Sequence, residues 1–172
     1  RVADPNGDEL RFALEVRAET DPAHWLAVAE DLREEHYGFD ATVLPDGRYR
    51  FRLTASDRRG NTDADEGEAL TAEQESEPVV IDHSPPTRGR AERRDGVWRV
   101  EVADRLNPLR EAMLSIDAGE WQPVAPADGL LDGQSETLPL GGIPPSARLV
   151  LLRLADAALN YETFDLSPEV KR

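Results

Sequence analysis

The chain has no cysteine, so it can form neither a disulfide framework nor a thiolate metal site. That absence does not fix a compartment, because exported bacterial modules often manage without disulfides. Long apolar runs are missing too. The longest, Leu149-Val150-Leu151-Leu152, is strand-sized and far short of the roughly 20 residues that a spanning helix needs. There is no basic stripe: the net charge is −15, and to Ser84 9 Arg stand against 21 acidic residues, net −12. From Pro85 onward 11 basic residues stand against 14 acids, net −3. Such a chain repels phosphate backbones, which excludes nucleic acid as a partner. The acidity reads as a source of solubility. No secretory leader is visible, but the chain opens at Arg1 in mid-pattern, so this decides nothing.

Catalytic motifs are equally scarce. No serine sits in a Gly-x-Ser-x-Gly elbow, and without cysteine there is no thiol nucleophile. His24, His36 and His83 fall in separate segments with no metal-triad spacing. Carboxylate pairs abound through composition alone, so they nominate no glycosidase pair. The expectation is a protein that is not an enzyme.

What is present is a sequence that repeats after about a hundred residues. Val2-Ala3-Asp4 returns as Val102-Ala103-Asp104, and Ser56-Asp57-Arg58-Arg59-Gly60-Asn61 as Ala155-Asp156-Ala157-Ala158-Leu159-Asn160. Leu44-Pro45-Asp46-Gly47 returns as Ile143-Pro144-Pro145-Ser146, with Trp25 and Trp121 at matching places between these anchors. A repeat of this length suits a small β-sandwich. The predicted division is a domain at 1–82, a Pro-rich linker at 83–87 and a second domain at 88–172. Pro85 and Pro86 make that joint short and semi-rigid.

Strand signals are clearest in the second repeat. Trp98, Val100 and Val102 alternate with Val97, Arg99 and Glu101, and Ala112, Leu114 and Ile116 repeat the pattern. Asp95-Gly96 and Asp117-Ala118-Gly119 mark hairpin turns. With Arg88 to Arg94, the strand at Trp121 to Val124, Leu138 with Leu140, Leu149 to Leu154 and Tyr161 to Leu166, seven short strands result. The first repeat predicts strands at Phe12 to Val16, Trp25 to Ala29, Tyr37 with Phe39, Tyr49 to Ala55 and Pro78 to Ile81. A helix over Ala23 to Glu35 ranks below strand and loop. Val2-Ala3-Asp4 matches the end of the second strand of the other repeat, so the first domain is expected to lack its N-terminal strands. The chain then reads as a fragment.

Leu44-Pro45-Asp46-Gly47-Arg48-Tyr49-Arg50-Phe51 resembles the turn into the sixth strand of fibronectin type III domains, where a tyrosine hydroxyl bonds back to the backbone. Asp57 to Asn61 and Asp4-Pro5-Asn6-Gly7-Asp8 are similar to turns of bacterial immunoglobulin-like modules, and Ile81-Asp82-His83-Ser84-Pro85-Pro86 is similar to their joints. The second repeat departs from this pattern: Arg148 stands where the tyrosine should be and Leu159 where the glycine should be. The resemblance implies an all-β protein of two tandem fibronectin type III-like sandwiches, the first N-terminally truncated. It also implies C-terminal modules of a larger bacterial exported protein, some of which carry a β-propeller ahead of them. The expected function is a non-catalytic spacer or docking module, periplasmic, cell-surface or secreted, with the upstream domain of the same polypeptide and possibly another protein as partners. The alternative is an accessory region that binds carbohydrate or protein for an enzyme whose catalytic domain lies upstream.

In such a sandwich two loops of the first domain converge at one pole and bring together Asp4, Asn6, Asp8, Asp57, Asn61 and Asp63, with Asp65 nearby. Calcium takes six to eight oxygen ligands, so carboxylates and amides on converging loops are suitable donors. Asp, Asn and Gly are also the commonest turn residues, and no EF-hand glycine or terminal glutamate follows. The calcium reading is therefore the lesser one. Asp104, Asn107, Asp156 and Asn160 form a thinner version in the second domain, expected to cap turns or bridge the domains. Asp63 to Glu77 holds seven acids and no base, which predicts a solvated loop. Trp98 is expected in the core. Trp25 and Trp121 are expected to pack rather than stack on sugars.

Overall fold

The computed structural model describes residues 9–34, 36–58 and 69–170, and the chain divides into two compact units, Arg1–Ile81 and Asp82–Arg172. Both are built of antiparallel strands. No helix among the described residues is long and apolar enough to cross a membrane.

The first unit forms one sheet from β1 (Arg11–Ala18), β2 (Leu26–Leu32), β3 (Gly47–Ser56), β4 (Thr71–Glu75) and β5 (Val79–Ile81). Its order is β2-β1-β3-β4, with β5 also paired to β3. Along β1 and β3 the register sets Phe12 opposite Ala55, Leu14 opposite Leu53 and Val16 opposite Phe51. Because side chains alternate along a strand, these pairs make one apolar face. Val16, Tyr49 and Ile81 form its small buried core, with Leu44 and Phe51 packed against them. The opposite face is ionic: Arg52 meets Glu15 at 2.7 Å and Arg17 meets Glu75 at 2.7 Å.

Two expectations fail here. Tyr37 and Phe39 are not in a strand. Gly38 weakens the strand preference, and Asp40 caps a 3₁₀ turn at Ala41–Val43 by accepting the Thr42 N–H. Phe39 packs edge-on to Phe51, with centroids 5.8 Å apart. Of the acidic run Asp63 to Glu77, residues 63–68 lie outside the described ones, and residues 71–75, solvent-exposed as expected, form β4 against Arg52–Ser56 rather than a loop. The hydrogen bond from Arg17 holds the Glu75 carboxyl below its ordinary value, so charge on this strand is answered across the sheet.

The second unit holds seven strands: β6 (Thr87–Arg94), β7 (Val97–Ala103), β8 (Leu109–Ile116), β9 (Gln122–Pro123), β10 (Ser135–Leu140), β11 (Val150–Asp156) and β12 (Tyr161–Asp165). They form two sheets, β10-β7-β6 and β12-β11-β8-β9. Val100, Val102 and Leu138 from one sheet and Leu114, Leu152 and Leu154 from the other share a single core, so the unit is a β-sandwich. Trp98 is half-buried against that core, as its phase predicts. Pro139 is tolerated because β10 lies at a sheet edge, where the N–H that proline lacks is not needed. A four-residue helix, α1 (Ser167–Val170), follows β12. Its Glu169 reaches back to β6, accepting from Arg88 Nη1 and the Ala91 N–H, both at 2.7 Å.

The corner before the long central strand is built differently in the two units. In the first, the Tyr49 hydroxyl donates to the Pro45 carbonyl at 2.7 Å. In the second, where Arg148 replaces tyrosine, the Asp117 carboxylate accepts the N–H groups of Arg148 and Leu149 at 2.6 and 2.9 Å. Asp117 can do this because it and Ala118 take positive φ, 51° and 60°, which turns the β8–β9 hairpin one residue before Gly119.

Candidate cation site

Of the six oxygen donors expected at the first unit's pole, Asp4, Asn6, Asp8, Asn61 and Asp63 lie outside the described residues, as does Asp65. Asp57 is described and is 3% exposed. Its Oδ1 accepts the Leu70 N–H at 2.8 Å, so it closes the connection from β3 to β4. That is turn chemistry.

Asp104 and Asp156, the repeat counterparts of Asp4 and Asp57, are both buried at the ends of β7 and β11. A third carboxylate joins them: Asp82, in the segment that leads into β6. One oxygen from each of the three lies within 4.8 Å of the others, and no other group of three or more acidic or histidine donors occurs among the described residues. Asp82 was not legible as a member. It sits in a Pro-rich joint with no periodicity, and only folding carries it to two loops distant in sequence.

The hydrogen bonds define what this cluster does. Asp104 Oδ1 accepts the N–H groups of Leu106 and Asn107, both at 2.8 Å, which fixes the loop between β7 and β8. Asp156 accepts the Asn160 N–H at 2.9 Å and the Asn160 amide at 2.8 Å, and that amide also donates to the Asp82 carbonyl. Asn107 donates to Asp82 Oδ2 at 2.6 Å, and the Ser84 N–H to Asp82 Oδ1 at 3.1 Å. Burial pushes the Asp82 carboxyl above its ordinary value and the charges of Asp104 and Asp156 push the same way, against the bonds from Asn107 and Ser84.

The spacing suits a calcium ion, whose oxygen ligands lie at about 2.3–2.6 Å. The donor set does not. The Asn107 and Asn160 amides direct N–H groups, not oxygens, at the carboxylates. As placed, the two amides donate to the cluster and supply no oxygen ligand, which leaves three carboxylates against the six to eight oxygens that calcium takes. The arrangement is a hydrogen-bonded hub that ties the entry segment to two loops, in which burial and the neighbouring like charges push the Asp82 carboxyl up.

The tryptophans repeat a different device. On the ionic face of the first unit, Arg17 and Arg52 lie 4.7 and 4.4 Å from the Trp25 ring centroid. In the second unit Arg153 lies 4.8 Å from that of Trp121 while pairing with Glu111 at 2.9 Å. Both indoles are half-buried under guanidinium groups, a favourable cation–π arrangement.

No protein-family model matches the chain, and no curated protein or solved structure matches it significantly.

Proposed function

We propose that the chain is a non-catalytic structural and interaction module: two tandem fibronectin type III-like units of a larger extracytoplasmic bacterial protein. The observation that carries this reading is the register. Leu14 opposite Leu53 in the first unit corresponds to Leu114 opposite Leu152 in the second, and Arg11 opposite Ser56 to Glu111 opposite Ala155. The same two-strand ladder, with the same arginine-covered tryptophan outside it, is thus used twice. Repetition of a scaffold suits spacing or docking. The Tyr49 corner and the division of seven strands into sheets of three and four agree with a fibronectin type III-like sandwich.

The alternative is an accessory region that binds carbohydrate or protein for an upstream enzyme, and the guanidinium groups over Trp25 and Trp121 favour its protein form over stacking on sugars. The test is functional dissection of the parent protein. Deleting these units should leave turnover by any other domain unchanged and remove its placement or its capture of a partner. Turnover of a substrate by the purified 172-residue chain, lost on Asp104→Asn, would overturn the proposal.

A further inference from the structure

The sheet β10-β7-β6 carries two hollows, of about 330 and 570 Å³, which share Glu101 and Thr137. The register sets Thr137 opposite Glu101 and Ser135 opposite Ala103, so these residues alternate with Val100, Val102 and Leu138 of the core and face outward. The hollows therefore join as one groove across the three strands. Its ends differ. Small residues line one end, among them Gly89, Ala103 and Ser135, and Arg90, Arg94 and Arg99 line the other.

The arginine end holds unanswered positive charge. Glu92 is bonded to Arg94 at 3.0 Å, whereas the side chains of Arg90 and Arg99 form no hydrogen bond or ion pair among the described residues. Glu169 feels the charge of Arg90, but its two oxygens are already bonded to Arg88 and the Ala91 N–H. Arg90 owes its position to a β-bulge, in which Gly89 and Arg90 together face Glu101. Charge on β6 by itself would serve to keep an edge strand from pairing with another sheet. Arg99 has no such duty, because β7 is the central strand. Two open guanidinium groups from neighbouring strands in one hollow suit carboxylates.

We propose that this groove binds an extended acidic segment of a partner protein, with its carboxylates on Arg90 and Arg99 and its backbone over Gly89, Ala103 and Ser135. A groove that crosses strands suits a chain rather than a compact ion. Side chains at alternate positions of an extended segment stand about 7 Å apart on one side, a spacing that lets two of them reach the two arginines. Most of the chain's negative charge lies before Pro85, net −12 of −15, so the second unit itself repels such a segment little. Glu101 is the one unpaired acid lining the arginine end, and it limits the affinity. The proposal rests on the docking form of the role proposed above and names the chemistry of the partner.

The probe is a short synthetic peptide of alternating Glu and Thr, titrated into the 172-residue chain, with a Gln-Thr peptide and inorganic phosphate as comparisons. The acidic peptide should shift the amide signals of residues 89–94 and 99–101, saturate at about 1 mM or below, and weaken as salt is added. The neutral peptide should not bind, and phosphate should not displace the acidic one at equal concentration. Arg90→Gln combined with Arg99→Gln should weaken binding by about tenfold or more. Glu101→Gln should tighten it by about threefold, a gain that no loss of folding can imitate. Arg110→Gln, at an exposed arginine of β8, should leave it unchanged. No shift at these amides, equal binding of the neutral peptide, or displacement by phosphate overturns the proposal. A concentration-dependent dimer that hides the groove overturns it as well and assigns the face to a second copy of the chain. Each of these failures leaves the spacer role standing, because dissection of the parent protein tests that role separately.

Discussion

Asp117 and Arg148 are 31 residues apart, and the carboxylate of the first accepts the backbone N–H of the second at 2.6 Å. This bond, with its neighbour at Leu149, does in the second unit what the Tyr49 hydroxyl does in the first. Tyr49→Phe should therefore destabilise the first unit by about 1 kcal/mol, the usual net worth of one such bond. Asp117→Ala should cost the second unit about 1–2 kcal/mol, since it removes an ionised acceptor of two bonds. Urea unfolding of each variant checks this. An unchanged midpoint in either would remove that residue from its corner.

Leu159 is held at φ +68° with its side chain 54% exposed. A left-handed backbone costs a residue with a Cβ about 1–2 kcal/mol, and little packing is lost on removing an exposed leucine. Leu159→Gly should stabilise the second unit by up to about 1 kcal/mol. A lower melting temperature for this variant would show that its side chain contributes more than its backbone costs.

Glu169 provides a pH test of the contact between α1 and β6. Burial alone would raise its pKa, but the bonds from Arg88 and the Ala91 N–H and the charges of Arg88 and Arg90 outweigh it, so the carboxyl lies below its ordinary value. A depressed carboxylate contributes stability that is present above its unfolded pKa and is lost as pH falls through the folded pKa. Glu169→Gln should then be less stable than the native chain at pH 7, with the gap closing below about pH 4. A gap independent of pH would mean that the carboxylate charge does not hold the edge.

Asp82 runs the other way. Its raised pKa means that the folded state holds the proton more tightly than the unfolded chain. The contribution is full below the unfolded pKa, near 4, and is lost as pH rises through the folded value. Asp82→Asn should therefore be most costly in acid, with the difference shrinking as pH rises. Stability measured as a difference from the native chain across this range decides it, and a difference that grows with pH would contradict the hub.

Calcium gives an independent check of the same hub. With N–H groups aimed at the carboxylates, melts in calcium and in chelator should coincide. A site held at a hundred times its dissociation constant would add about 2.7 kcal/mol and raise the midpoint by roughly 10 °C or more. A shift of that size would make the hub a cation site.

Local pattern determined much of this protein. Alternation fixed β7 and β8, because one face of each must meet a core, an unbroken apolar run fixed β11, and Asp95-Gly96 fixed a hairpin between β6 and β7. The hundred-residue repeat, read in one dimension, predicted two similar β units, and the structure pairs their matching strands in the same register. Tertiary structure alone decided the rest, because it depends on neighbours that sequence spacing does not reveal. The strand β4 emerges from an acidic run only because Arg17 and Arg50 lie across the sheet to answer Glu75. Tyr37 and Phe39 alternate as a strand should, yet the Asp40 cap turns the chain away. Asp82 joins Asp104 and Asp156 because folding brings a proline-rich joint to two loop ends, and the direction of two asparagine amides then makes that meeting a hydrogen-bonded hub. Periodicity reports which face of an element is buried, whereas the identity of the group it meets is a property of the packed chain.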